Sequence, residues 1–262
     1  MTVPNKNIRR KVLQIINKSN ASHIGTSLSC IEILSSIFKT MDLEKIKQSL
    51  IDRDRIILSK GHGAAALYTT MHFHGLLSEE MLDTYFQNNS LLAGHVSHHV
   101  PFVEHSTGAL GHGLPVGLGM AIGMMSKKKS SKVFVVLGDA ELQEGSNWEA
   151  MMLAGHKKIK NLIVLIDYNK LSQTDNLDQF CSLEPLKEKL ESFNFEVKEV
   201  DGHSEEEIIP SIKNSEFLEK PLAIICHTIK GKGVSFMEKN VLWHYKTPDD
   251  EDFRKALLEL DD

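Results

Sequence analysis

Cysteine is scarce: Cys30, Cys181 and Cys226 stand far apart and odd in number, which argues against a disulfide framework and a thiolate zinc site. A reducing, intracellular setting suits such a chain. Neither sign of charge predominates. With 30 Lys and Arg against 35 Asp and Glu, the formal net charge is -5 at pH 7, so no polycationic surface is available for nucleic acid or an anionic membrane. Long apolar runs are also missing. The longest, such as Val133–Leu137 and Leu162–Ile166, have the length of strands and fall far short of the roughly 20 residues that cross a bilayer. The opening Met1–Lys11 is polar and basic with no apolar core or cleavage site behind it. A soluble, cytoplasmic protein is expected, with no nucleic acid and no membrane among its partners.

What the chain does have is 262 residues, 41% of them hydrophobic, enough for a substantial core. Lys132–Leu137, Asn161–Asp167 and Pro221–His227 are apolar on both alternating faces, as central strands of a parallel sheet must be. Between the first two, Glu144–Lys158 carries Trp148, Met151, Met152 and Ala154 at helical spacing, long enough for a βαβ crossover. Helices are also predicted over Ile8–Lys18, Cys30–Lys39, Ala64–His74, Ser78–Gln87, Pro115–Met125, Glu184–Ser192, Ser204–Asn214 and Asp250–Leu260. The expected class is α/β: a doubly wound, mostly parallel sheet with helices on both faces. The Lys127–Lys129 and Glu205–Glu207 runs read as solvated helix ends. Met120, Met124 and Met125, with Trp148 and Met152, read as packing stripes.

Two strand ends carry the chemistry. Gly138-Asp139-Ala140-Glu141 follows the first central strand, and the second ends in Asp167-Tyr168-Asn169-Lys170-Leu171. The carboxyl ends of parallel strands border the crevice where ligands bind, so the Asp139 carboxylate and the Asn169 amide oxygen can meet there. Hard oxygen ligands without His or Cys suit Mg²⁺ or Ca²⁺, and Mg²⁺ completes its octahedron with waters and phosphates. A diphosphate is implied.

Gly138-Asp139-Ala140, with Asn169 following Asp139 by 30 residues, closely resembles the thiamine diphosphate signature of Gly-Asp-Gly, a spacer and Asn. Its surroundings resemble transketolase in transketolase order: Ser19–Gly25, Leu58–Gly63, Ser106–Gly113 and Gly138–Ala150. The resemblance covers nearly the whole chain but only the diphosphate-binding domain of a full-length transketolase. It implies a single such domain over residues 1–262, without the pyrimidine-binding and C-terminal domains: the small subunit of a split transketolase. A second chain would supply those domains, in a heterotetramer, and this chain alone would not turn over.

The resemblance also assigns residues. It gives Asp139, Asn169 and the Leu171 carbonyl to Mg²⁺ (or Ca²⁺), and Gly108, Ala109 and Leu110 to the aminopyrimidine edge of thiamine diphosphate. Gly138, Ala140, His62, Lys230 and His244 fall to the rest of the cofactor. Glu144 matches a glutamate near the subunit interface; the plainer reading is a capping carboxylate. Ala140 replaces the second glycine of the signature, which its methyl permits only at negative φ. Among the 13 histidines, the resemblance places His23, His62, His95 and His244 in the substrate channel, where imidazoles suit proton transfer near neutral pH. His72, His74, His156 and His227 default to structure. A zinc cluster of His95, His98, His99 and His105 lacks the usual helix or cysteine pattern. Gly94-His95-Val96-Ser97 departs from the family's Gly-His-Pro-acid.

The implied reaction is transfer of a two-carbon ketol unit from a ketose to an aldose or their phosphates, with His244 or His23 taking the proton of the donor's C3 hydroxyl. A 1-deoxyxylulose-5-phosphate synthase-like or other specialised ketol transferase is the alternative enzyme. A non-catalytic thiamine diphosphate-binding scaffold is the alternative of another class. Arginine occurs only at positions 9, 10, 53, 55 and 254, so the motif-bearing region has no guanidinium to grip a sugar phosphate at two points. That selectivity falls to the partner.

Overall fold

Alternation along the central strands decides how the chain layers. In the computed structural model, which describes residues 4–129 and 131–261, the strands are β1 (Arg55–Leu58), β2 (Val133–Gly138), β3 (Leu162–Tyr168), β4 (Glu196–Asp201) and β5 (Leu222–His227). They form one sheet in the order β1-β2-β3-β5-β4, with every pairing parallel. Phe134, Val136, Ile163, Leu165, Leu222 and Ile224 point into one apolar core, while Val133, Val135, Leu162, Val164, Ala223 and Ile225 point into the other. A sheet apolar on both faces must be covered on both. The three predicted strands are the three interior ones.

One face is covered by α1 (Asn5–Ser19), α2 (Ile24–Ser29), α3 (Ile31–Thr40), α4 (Leu43–Lys47), α5 (Ala64–Phe73), α6 (Glu79–Leu82), α10 (Glu205–Asn214) and α11 (Asp250–Glu259). The other is covered by α7 (Gly113–Ser126), α8 (Gly145–His156) and α9 (Leu186–Ser192). In α1, Ile8, Val12, Ile15 and Ile16 recur at helical spacing and are all buried, the stripe that seats a helix on a core.

Two strands escaped the sequence reading. β1 has only four residues. The edge strand β4 buries Val197 and Val200 while its Glu and Lys side chains face outward; charges of this kind keep an edge from pairing with another chain. The helix expected over Ser78–Gln87 shrinks to α6. Ser78 caps its start, but Thr84 Oγ1 bonds back to Met81 O at 2.7 Å and to Ser90 Oγ at 2.7 Å. Local side-chain bonds of this type compete with helix propagation, and the chain turns at Phe86, with φ 56°. Of the polar opening Met1–Lys11, residues 1–3 lie outside the described residues.

Candidate active site

Gly138 pairs with Asp167 in the β2–β3 register, so the residues just past the two strand ends, Asp139 and Asn169, emerge side by side. Asp139 is 2% exposed. Its carboxylate accepts from the backbone N–H of Ala140 at 2.7 Å and of Lys170. Burial, reinforced by Asp167, pushes it up to about 7. Asn169 is half-buried, and its amide oxygen accepts from Leu171 N–H at 3.1 Å. Ala140 is not among the residues with positive φ, so its methyl fits.

Beneath this pair lies an ion pair that the sequence reading did not single out. Lys60 donates to the Asp167 carboxylate with 1% and 0% of their side chains exposed. Ser29 Oγ and Thr228 Oγ1 also donate to Asp167, and Lys60 reaches Thr26 O at 3.2 Å. Burial alone would raise the Asp167 carboxyl, but the ammonium and hydroxyls hold it below its ordinary value. Glu141, 1% exposed and likewise missed, accepts from Ser59 Oγ, from Gly111 N–H at 3.0 Å and from Gly138 N–H at 3.2 Å. It pins the glycine-rich turn to the end of β2.

That turn needs its glycines. Gly108 has φ 144°, and a Cβ there would lie 2.9 Å from the His95 ring. His95 is placed from the other side by Tyr68, which donates to His95 O at 3.2 Å and accepts from Ser97 N–H at 3.0 Å. His62 follows Gly61, whose missing Cβ lets the chain pass against the Thr107 backbone.

His23 stands at the centre of four imidazoles. Its ring centroid is 5.4 Å from that of His62, 5.5 Å from His95 and 5.2 Å from His244. Burial, with His95 and Lys230 nearby, lowers His23 to about 4. Burial, with Lys230 and His23, lowers His244 to about 3. Burial and Lys60 hold His62 well below its ordinary value. These three rings are neutral at pH 7.

Lys230, 3% exposed, donates to Ser172 O at 2.7 Å and to His244 Nδ1 at 3.0 Å, and approaches Leu171 O at 3.4 Å. Burial, with Lys60 opposing a second charge, brings it down to about 8.

The two strand ends, the glycine-rich turn, the four imidazoles, Lys60, Glu141 and Lys230 meet in one cleft of about 380 Å³. It is lined by His23, His62, His95, Gly108, Leu110, Gly138, Asp139, Ala140, Glu144, Asn169, Leu171, Lys230 and His244. Ala109 is exposed and is not among the lining residues. Glu144 is the exposed residue preceding α8 and makes no side-chain capping bond, so the capping reading fails for it. His98 donates to or accepts from Ser106 Oγ at 2.6 Å and packs on His99 with centroids 4.2 Å apart. Among the described residues no three His, Cys, Asp or Glu converge on a common metal position, so the four-histidine zinc arrangement does not form.

The sheet and cleft define an α/β domain that presents a buried carboxylate, amide and carbonyl oxygens and neutral imidazoles at the carboxyl edge of parallel strands. Residues 3–256 match the family described as transketolase, thiamine diphosphate binding domain, and the chain belongs to that family. It is 39% identical over 254 residues to one of the subunits of the apulose-4-phosphate transketolase of Phocaeicola vulgatus, covering 96% of this chain and 90% of that one. It is 34% identical to the 6-deoxy-6-sulfo-D-fructose transketolase subunit SqwG of a Clostridium species, covering 97% of this chain and 94% of that one. The crystal structure of Campylobacter jejuni transketolase superimposes with a TM-score of 0.90 at 29% identity, over 98% of this chain but only 42% of the other. The chain therefore spans nearly the whole of the subunit relatives and less than half of that transketolase chain.

Proposed function

We propose that this chain is the diphosphate- and metal-binding half of a two-chain, thiamine diphosphate-dependent transketolase, which moves a two-carbon ketol unit from a ketose to an aldose. The observation that carries this reading is the meeting, in one cleft, of the Asp139–Asn169 oxygen pair with a wall of neutral imidazoles.

The donor set fits Mg²⁺ (or Ca²⁺). Asp139 is a carboxylate buried against backbone donors alone, and a divalent cation would relieve the cost of that burial. Asn169 and the Leu171 carbonyl would complete the protein ligands. His62, Gly108, Leu110, Gly138, Ala140, Lys230 and His244 would face thiamine diphosphate, with Ala109 contributing at the turn only through its backbone. When bound, that cofactor supplies the carbanion chemistry.

The role of His244 follows from its partner. Lys230 donates to His244 Nδ1, so the proton of the neutral ring sits on Nε2 and His244 offers a donor to a substrate oxygen. His23 Nδ1 meets Ser22 Oγ at 3.1 Å. With Nδ1 as donor there, Nε2 presents a lone pair that can take the C3 hydroxyl proton of the donor ketose. His62 and His95 orient hydroxyls beside it.

The pyrimidine-binding and C-terminal domains are assigned to a second chain, in a heterotetramer, with exposed Glu144 at the boundary between subunits. The names of the relatives, one for a 4-phosphate and one for a sulfo sugar, support substrates with an anionic terminus. Among the described residues no arginine lines the cleft, so the partner would clamp that terminus. The three free thiols support a cytoplasmic setting. The test mixes this chain, a pyrimidine-domain chain, Mg²⁺ and thiamine diphosphate with a ketose phosphate and an aldose phosphate. Transfer by the mixture and by neither chain alone is expected; transfer by this chain alone refutes the division of labour, and cofactor binding without transfer favours the scaffold.

A further inference from the structure

Tyr245 follows His244 at the outer end of the cleft. Its ring meets His244 edge-on, with centroids 4.7 Å apart and planes at 65°, and lies 5.8 Å from the His23 ring. The phenol donates to Gln173 Oε1 at 2.8 Å, tying it to the loop that carries Asn169 and Leu171. Tyr245 and Gln173 both line the cleft. Although its ring is held at several points, Tyr245 remains 58% exposed. A large ring ordered in advance loses little freedom when a ligand covers it.

The cations that line the cleft lie deep instead. Lys60 and Lys230 are 1% and 3% exposed and already engaged, the first with Asp167 and the second with Ser172 O and His244. A sugar chain that runs outward from the imidazoles therefore meets the Tyr245 ring rather than a cation of this chain. The C–H face of a carbohydrate is apolar and packs on an aromatic ring, whose burial of area dominates such contacts.

We propose that Tyr245 is a binding and specificity-determining residue for the sugar substrate. Its ring is the platform for the outer carbons of a five-carbon or longer chain, and a three-carbon chain ends before reaching it. This inference rests on the transketolase reading.

The experiment uses the full chain reconstituted with its pyrimidine-domain partner, one ketose phosphate donor, and three-carbon and five-carbon aldose phosphates as acceptors. Tyr245→Ala is expected to raise KM for the five-carbon acceptor about tenfold at unchanged kcat, the size of one lost packing contact. KM for the three-carbon acceptor stays within about twofold, and Tyr245→Phe keeps the parental preference. Calorimetric thiamine diphosphate affinity and the sedimentation of the complex remain parental in both variants. Equal effects on the two acceptors, a gain for the longer one, or failure of Tyr245→Ala to assemble each overturns the proposal, since they signify general damage, a steric gate and an interface contact respectively. No transfer by the parental complex refutes the transketolase reading itself and is seen before any variant is compared.

Discussion

Lys230 Nζ lies 3.0 Å from His244 Nδ1, and because an ammonium has only donors, the ring nitrogen accepts. The same ammonium donates to Ser172 O and approaches Leu171 O. One buried charge thus fixes a histidine tautomer and ties down the loop after β3.

Replacing Lys230 by Met should release both. The nearby positive charge is, after burial, the main influence lowering His244, so its removal raises that value from about 3. Histidine NMR titration of Lys230→Met reads the change, and an unmoved His244 resonance would refute the coupling. Magnesium-dependent thiamine diphosphate affinity should fall with it.

Asp139→Asn keeps an oxygen for Ala140 N–H but turns an amide nitrogen toward Lys170 N–H, and it removes the only acidic ligand of the proposed cation site. Calorimetry of the reconstituted complex should show at least about a hundredfold loss of magnesium-dependent affinity, consistent with dependence on hard, charged oxygen ligands. Circular dichroism of the free chain should be unchanged. Parental affinity in Asp139→Asn rejects the coordination.

His23→Asn should lower single-turnover donor cleavage by ~10²–10⁴-fold, the range for a lost general base, with cofactor affinity nearly intact. His244→Asn, losing a donor rather than a base, should cost less. The double variant tests whether the two act as a unit, because such residues are strongly non-additive. Cleavage at the parental rate in all three would sink both assignments.

Glu32 offers a prediction about stability. It is 4% exposed, pairs with Arg9 through both carboxylate oxygens at 2.5 and 2.7 Å, and accepts from His203 Nδ1 at 3.0 Å. His203 must donate there, since its Nε2 accepts from Ile229 N–H at 2.8 Å. Burial alone would raise the Glu32 carboxyl, but His203 and Arg9 hold it below 4.5. A depressed folded value means that the stabilisation is fully present above about pH 4.5 and is lost as pH falls through that lower value. Glu32→Gln, which strands a buried guanidinium, should cost about 3 kcal/mol at pH 7 and flatten the acid limb of the stability curve. Urea melts at pH 7 and pH 4 distinguish this from a variant equally destabilised at both.

The three interior strands were legible because burial on both faces demands uninterrupted apolar residues, as in Leu162–Ile166. β1 and β4 were not, since a four-residue strand and a charged edge strand leave no such run. Asp139 and Asn169 were legible from their positions after strands. Lys60 lies within Leu58–Gly63 and Asp167 at the end of a central strand, yet their pairing spans more than a hundred residues and only the register of the sheet reveals it. Glu141 carried no local signal beyond its neighbours, and neither did Tyr245, whose hydroxyl partner lies on a loop 72 residues away. Thr84 shows the converse: a hydroxyl with a nearby carbonyl ended a helix whose apolar spacing predicted more.

The pairing of Gly138 with Asp167 also tells an engineer where the chain can be altered. The crossover through α8 sets no distance at the cleft, because hydrogen bonds between β2 and β3 do so. Added residues at the exposed turn Lys157–Lys158, at the opposite end of the strands, would leave Asp139 and Asn169 facing each other. A single deletion inside β2 would shift the strand end by roughly 3.3 Å and turn its side chains to the other face. The turn is thus a place to graft a fluorophore or an affinity tag.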